Sequence, residues 1–149
     1  MIGTNKSLQD TGILLLRIFV GVILFAAGAG KVFGWFGGQG LEATIQGFVN
    51  YMHIPAFLGY VSTFTELLGG LLLILGLITR PAAFAVFINM LVAGIVSLPK
   101  GFLIGAAYPF SLMFMALVIL LIGPMGISLD AILFGNCKQK ENNIEPAEK

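Results

Sequence analysis

The stretch FLGYVSTFTELLGGLLLILGLI, residues 57–78, decides how this chain is read. Its length matches the roughly 20 residues that cross a bilayer's hydrocarbon core. Its lone charged residue is Glu66. A carboxylate at that depth costs about 2.5 to 3.5 kcal/mol on insertion scales. It therefore calls for a partner that satisfies it or a task that needs it.

The rest of the chain has the same character. Of its 149 residues 58% are hydrophobic and only 10% charged, with a mean hydropathy of +0.99. Soluble domains carry about 25% charged residues, so this composition points to a lipid surround. The net charge of +1 offers no electrostatic footprint for nucleic acid. Cys137 is the single cysteine, which excludes an internal disulfide and any paired-thiol centre.

Three further apolar stretches flank the first, at residues 11–33, 82–98 and 108–122. The apolar connector 102–107 either extends the last one or lies re-entrant beside it. Ala27-Gly28-Ala29 imitates a signal-peptide cleavage site, but Arg17 interrupts the apolar region before it, so this stretch is read as a retained span. The expected fold is all-α, a four-helix transmembrane bundle forming one membrane domain over residues 1–136. Residues 137–149 are polar and charged and read as a disordered cytoplasmic tail. With four spans both termini share a side. That side collects Lys6, Arg80, Lys138, Lys140 and Lys149, with Arg17 just inside, against Lys31 and Lys100 opposite. The positive-inside rule puts both termini in the cytoplasm.

Between the first two spans, Leu41, Ile45, Phe48, Val49 and Met52 recur at helical spacing, while Glu42, Gln46, Asn50 and His53 take the other face. This is an amphipathic helix suited to lie flat in the interface. Gly34, Gly37, Gly38 and Gly40 before it and Pro55 after it supply bends. Trp35, Phe36 and Tyr51 read as an aromatic belt at the outer interface.

Two spans carry glycine-bearing stripes. Arg17, Gly21, Leu24, Gly28 and Lys31 share a face of the first; Glu66, Gly69, Gly70, Leu73, Gly76 and Arg80 share one of the second. Small residues let helices approach closely in lipid, so these stripes are expected to meet. Side chains lean toward their helix N-terminus. Glu66 therefore leans outward and Lys31 inward, which makes Lys31 the favoured partner. Arg17 leans away, to snorkel or join a water-filled cavity. Ser62 and Thr63, one turn before Glu66, and Asn89 in the third span are candidates to add hydrogen bonds to it. The candidate ligand site is thus Glu66, Lys31, Arg17, Asn89, Ser62 and Thr63, with a purely structural clasp given equal weight. Arg80, Trp35 and His53 are read as interface anchors. No catalytic residue is assigned. No metal site is assigned either, because His53 has no second His or Cys at ligand spacing.

Taken in order, several marks make the chain similar to the DoxX family of small four-helix membrane proteins. They are Leu16-Arg17, Gly28, Lys31-Val32-Phe33-Gly34, Glu66-Leu67-Leu68-Gly69-Gly70, Gly76-Leu77-Ile78-Thr79-Arg80, Gly123-Pro124 and Ser128-Leu129-Asp130. The resemblance runs from Leu15 to Leu133. It implies association with quinone-linked redox systems, the family being named for subunits linked to thiosulfate oxidation. The chain departs from the pattern at Ala27, where many members carry His, and at Tyr108-Pro109, where many carry an acid. Met125 to Ile127 replace a basic residue. Three function classes follow: a quinone- or lipid-binding subunit of a membrane redox system, a non-enzymatic scaffold or assembly factor, and a small-solute transporter or channel. A quinone is the candidate cofactor. The bilayer, a membrane or periplasmic redox protein and further copies of the chain are the candidate partners. A binding site here is expected to be a cavity lined by Glu66 and roofed by the amphipathic helix.

Overall fold

The computed structural model describes residues 6–123, and these are almost wholly helical. Helix α1 spans Lys6–Phe33, α2 Leu41–Met52, α3 Ala56–Leu75, α4 Thr79–Ser97 and α5 Ala107–Ile122. Four apolar helical segments, Leu8–Phe33, Ala56–Leu75, Thr79–Lys100 and Phe102–Ile122, are long enough to cross a membrane. The chain is a multi-pass membrane protein. The expected tail at residues 137–149 lies outside the described residues.

Helix ends depart from the apolar stretches for identifiable reasons. Helix α1 begins upstream of residue 11, because nothing in Ser7-Leu8-Gln9-Asp10 breaks a helix and the polar residues can stand beyond the hydrocarbon. Helix α3 stops at Leu75, where Gly76 turns left-handed with φ 68°. Helix α4 then starts at Thr79, ahead of Pro81. The proline sits in the first turn, where no intrahelical N–H is required of it. The connector at Phe102–Ala106 forms a π-helical turn running straight into α5. It lengthens the fourth span, and the re-entrant alternative is set aside.

Contacts fix the relative directions of the helices. On α1, Gly21 lies against Gly70 and Ile74, and Gly28 against Leu67 of α3, so α1 and α3 run antiparallel with their glycine stripes in contact. Gly69 packs on Val86, joining α3 to α4, and Gly94 on the Phe110 ring, joining α4 to α5. The core lies where all four spans meet: Val20 and Leu24 from α1, Leu73 from α3, Val86 and Met90 from α4, Leu112 and Ile119 from α5. Phe19, Phe64, Phe84 and Phe114 face outward, where hydrocarbon is their natural surround.

Helix α2 packs mainly on α3. Its Ile45 and Phe48 close over Gly59, and the Thr44 hydroxyl donates to the Gly40 carbonyl at 2.7 Å. Val49, assigned from spacing to the apolar face, is exposed instead.

Candidate functional site

Lys31, in the last turn of α1, meets Glu66 in the middle of α3. Its Nζ donates to Oε1 at 2.7 Å and to Oε2 at 2.5 Å. The Glu66 side chain is 5% exposed and that of Lys31 32% exposed. The bidentate contact follows from the antiparallel stripes, which bring a residue in the last turn of α1 to the middle of α3. The Lys31 ammonium also lies 5.9 Å from the Phe48 ring centroid on α2, within cation–π range.

The other expected members do not converge on this pair. Asn89 Nδ2 donates to the backbone carbonyl of Ser62 at 3.5 Å, tying α4 to α3 rather than reaching the carboxylate. The Thr63 hydroxyl is fully buried and has no hydrogen-bond partner among the described residues. Arg17 neither snorkels nor joins a cavity at Glu66. It is 3% exposed, with its guanidinium against the left-handed turn that ends α3. A Cβ at Gly76 would stand 2.8 Å from Arg17 Cζ, Nη1 and Nη2, so glycine is what admits the cation there. Helix C-termini carry partial negative charge, which explains why a buried guanidinium settles at this one. Arg80 repeats the arrangement: its Nε would lie 2.6 Å from a Cβ on Gly123, the residue ending α5.

A cleft of about 490 Å³ opens beside Lys31. Ala26, Ala27, Gly30 and Lys31 of α1 form one wall. The loop residues Trp35 to Gln39 form a second, and Ala43, Thr44, Gly47, Phe48, Tyr51 and Met52 of α2 the roof. Lys100, from the α4–α5 connection, completes the rim. An open cleft therefore lies under the amphipathic helix, and Lys31 lines it where Glu66 was expected to. Glu66 is screened from it by the lysine that neutralises it.

Sequence reasoning placed Lys100 on the outer side without assigning it a site. Its position between Pro99 and Gly101 was the available signal, since Pro99 opens a tighter 3-10 turn and Gly101 ends it, leaving the lysine at the end of the span. Trp35, expected as an anchor, also lines the cleft and sits 5.0 Å from the Phe33 ring between centroids. Phe36 adopts φ 57°, an uncommon backbone for a bulky residue, at the same loop. His53 caps α2 in a left-handed conformation and is exposed, outside the cleft. Among the described residues no group of three His, Cys, Asp or Glu side chains converges on a metal-sized site.

Comparison with known proteins gives three findings. Residues 12–98, covering α1 to α4, match a family model described as DoxX. A Bacillus subtilis (strain 168) protein named "Putative oxidoreductase CatD" is 34% identical over 139 residues, 93% of this chain and 96% of its own. An Escherichia coli (strain K12) protein named "Inner membrane protein YqjF" is 32% identical over 78 residues, 52% of this chain and 55% of its own. No solved structure matches the chain significantly.

Proposed function

This chain belongs to the DoxX family, and from that premise we propose that it is a ligand-binding subunit of a redox system in the bacterial inner membrane. It holds a quinone or lipid in the cleft beside Lys31. The observation that carries the reading is the cleft itself. It is roofed by an amphipathic helix, walled by aromatic and small side chains, and provided with the ammonium groups of Lys31 and Lys100. Quinone carbonyls accept hydrogen bonds from such a group, while an apolar tail leaves through the lipid-facing side. The oxidoreductase name of the Bacillus relative supports the redox half of this reading. Binding is favoured over catalysis because Glu66 is occupied by Lys31 and the chain has one thiol only. Both termini are assigned to the cytoplasm, with the cleft facing the periplasmic side. The redox partner is a membrane or periplasmic protein.

A scaffold role is the second reading. It is favoured by the tight α1–α3 seam, in which the Lys31–Glu66 pair works as a clasp. The two are separated by extracting the protein in polymer nanodiscs and analysing its bound molecules by mass spectrometry. Gly47 lines the cleft, and a Cβ there meets nothing within 4 Å. Gly47→Leu therefore fills the cleft without disturbing the fold. The wild type should retain a quinone or a lipid beyond the bulk composition, and Gly47→Leu should lose most of it. Equal retention, or none in the wild type, would leave the scaffold reading standing.

A further inference from the structure

We propose that the cleft selects an amphiphile with an anionic head, a phosphate or carboxylate on an apolar tail, and that Lys100 is the residue that selects it. This rests on the binding reading above and narrows its ligand class. The cleft wall carries two cations, Lys31 and Lys100, and no Asp or Glu. Glu66 cancels the charge of Lys31 from outside the wall. No acidic group pairs with Lys100 among the described residues, and its side chain is exposed at the rim. The cleft therefore presents a net positive charge.

Lys31 adds directed donors to that charge. An ammonium has three N–H groups, and two of these serve Glu66 Oε2 and Oε1. The third remains for a ligand. A neutral ring accepts from it but leaves the Lys100 charge unanswered. An anion answers both, through charge-assisted bonds roughly twice as strong as neutral ones. The remaining wall fits the tail. Trp35, Phe36 and Tyr51 present aromatic surface at the mouth, and Ala26 and Ala27 leave room at the floor. Lipid headgroups supply this chemistry at the end of the span where Lys100 stands, and a water-soluble phosphate supplies only its polar half.

Trp35 makes the test direct, because it lines the cleft and is the single tryptophan of the chain. Its emission is followed in the full chain, purified in a neutral detergent, during titration with four probes. These are dodecyl phosphate, dodecylphosphocholine, inorganic phosphate and the neutral quinone decylubiquinone. Dodecyl phosphate should act at a concentration about tenfold below that of dodecylphosphocholine, a difference of ~1.4 kcal/mol. Added salt should erode the advantage. Lys100→Gln should abolish it, and Lys100→Arg, which retains the charge, should keep it. Equal potency of the two dodecyl probes, or an advantage that survives Lys100→Gln, overturns the proposal and leaves the quinone reading in place. Inorganic phosphate as potent as dodecyl phosphate overturns the amphiphile and assigns a soluble anion. If no probe moves Trp35, decylubiquinone included, the binding reading itself fails and this inference with it.

Discussion

Lys31 and Glu66 are unequal partners, and the inequality is measurable. Removing one member of a buried pair typically costs about 3 to 5 kcal/mol, because the survivor is left uncompensated. Lys31→Met strands a carboxylate that is 5% exposed, whereas Glu66→Gln leaves a lysine that is 32% exposed and free to turn toward water. The lysine variant should therefore be the less stable in thermal unfolding in detergent, by about 1 to 2 kcal/mol, since exposed charges are screened. The double variant should recover part of the loss. Strict additivity of the two single effects would rule out the coupling. The pair was legible from depth, helix face and side-chain tilt. The site of Arg17 was not, because it depends on the left-handed Gly76 turn of another helix, which spacing along α1 does not reveal.

Helices α1 and α3 make the most extensive seam among the described residues, and its glycines are not interchangeable. A Cβ on Gly28 would stand 2.5 Å from the backbone N of Leu67, which cannot move without shifting α3. Gly28→Val should cost at least the 1 to 3 kcal/mol typical of overpacking (~2 kcal/mol as a floor here) and weaken the Lys31–Glu66 contact one turn away. Gly47 on α2 is the contrasting case, with open space around it. Gly47→Ala should be neutral or stabilising by up to about 1 kcal/mol through helix propensity. Melting temperatures of the two variants, measured side by side, decide the matter. A Gly28→Val protein as stable as the wild type would mean that the stripes do not set the helix distance. Both stripes were visible in the sequence as small residues at helical spacing. The early stop of α3 and the start of α4 at Thr79 were not, since apolar character runs unbroken through Leu77 and Ile78.

At the scale of the whole molecule four cations of the described residues sort to opposite ends. Lys31 and Lys100 share the cleft, while Arg17 and Arg80 lie against the glycines that end α3 and α5. We assign the arginine end to the cytoplasm from the basic residues that accompany it in the sequence. Cysteine introduced at His53 or Lys100, in a Cys137→Ser background, should react with a membrane-impermeant maleimide on intact cells. Cysteine introduced at Arg80 should react only after lysis. The reverse pattern would invert the topology and turn the cleft toward the cytoplasm.

Span number, the interfacial helix between residues 41 and 52 and the pairing of Lys31 with Glu66 follow from the sequence, because each rests on local periodicity and the cost of charge in hydrocarbon. The tertiary structure alone decided what surrounds that pair. It drew Asn89 to the Ser62 carbonyl, Arg17 to Gly76 and Lys100 to the cleft. These placements join residues from different helices. They depend on which faces meet and how closely glycine lets them approach, and no single helix encodes that. The cleft follows the same logic: it is the space left where a short helix, a glycine-rich loop and a distant lysine fail to close on one another.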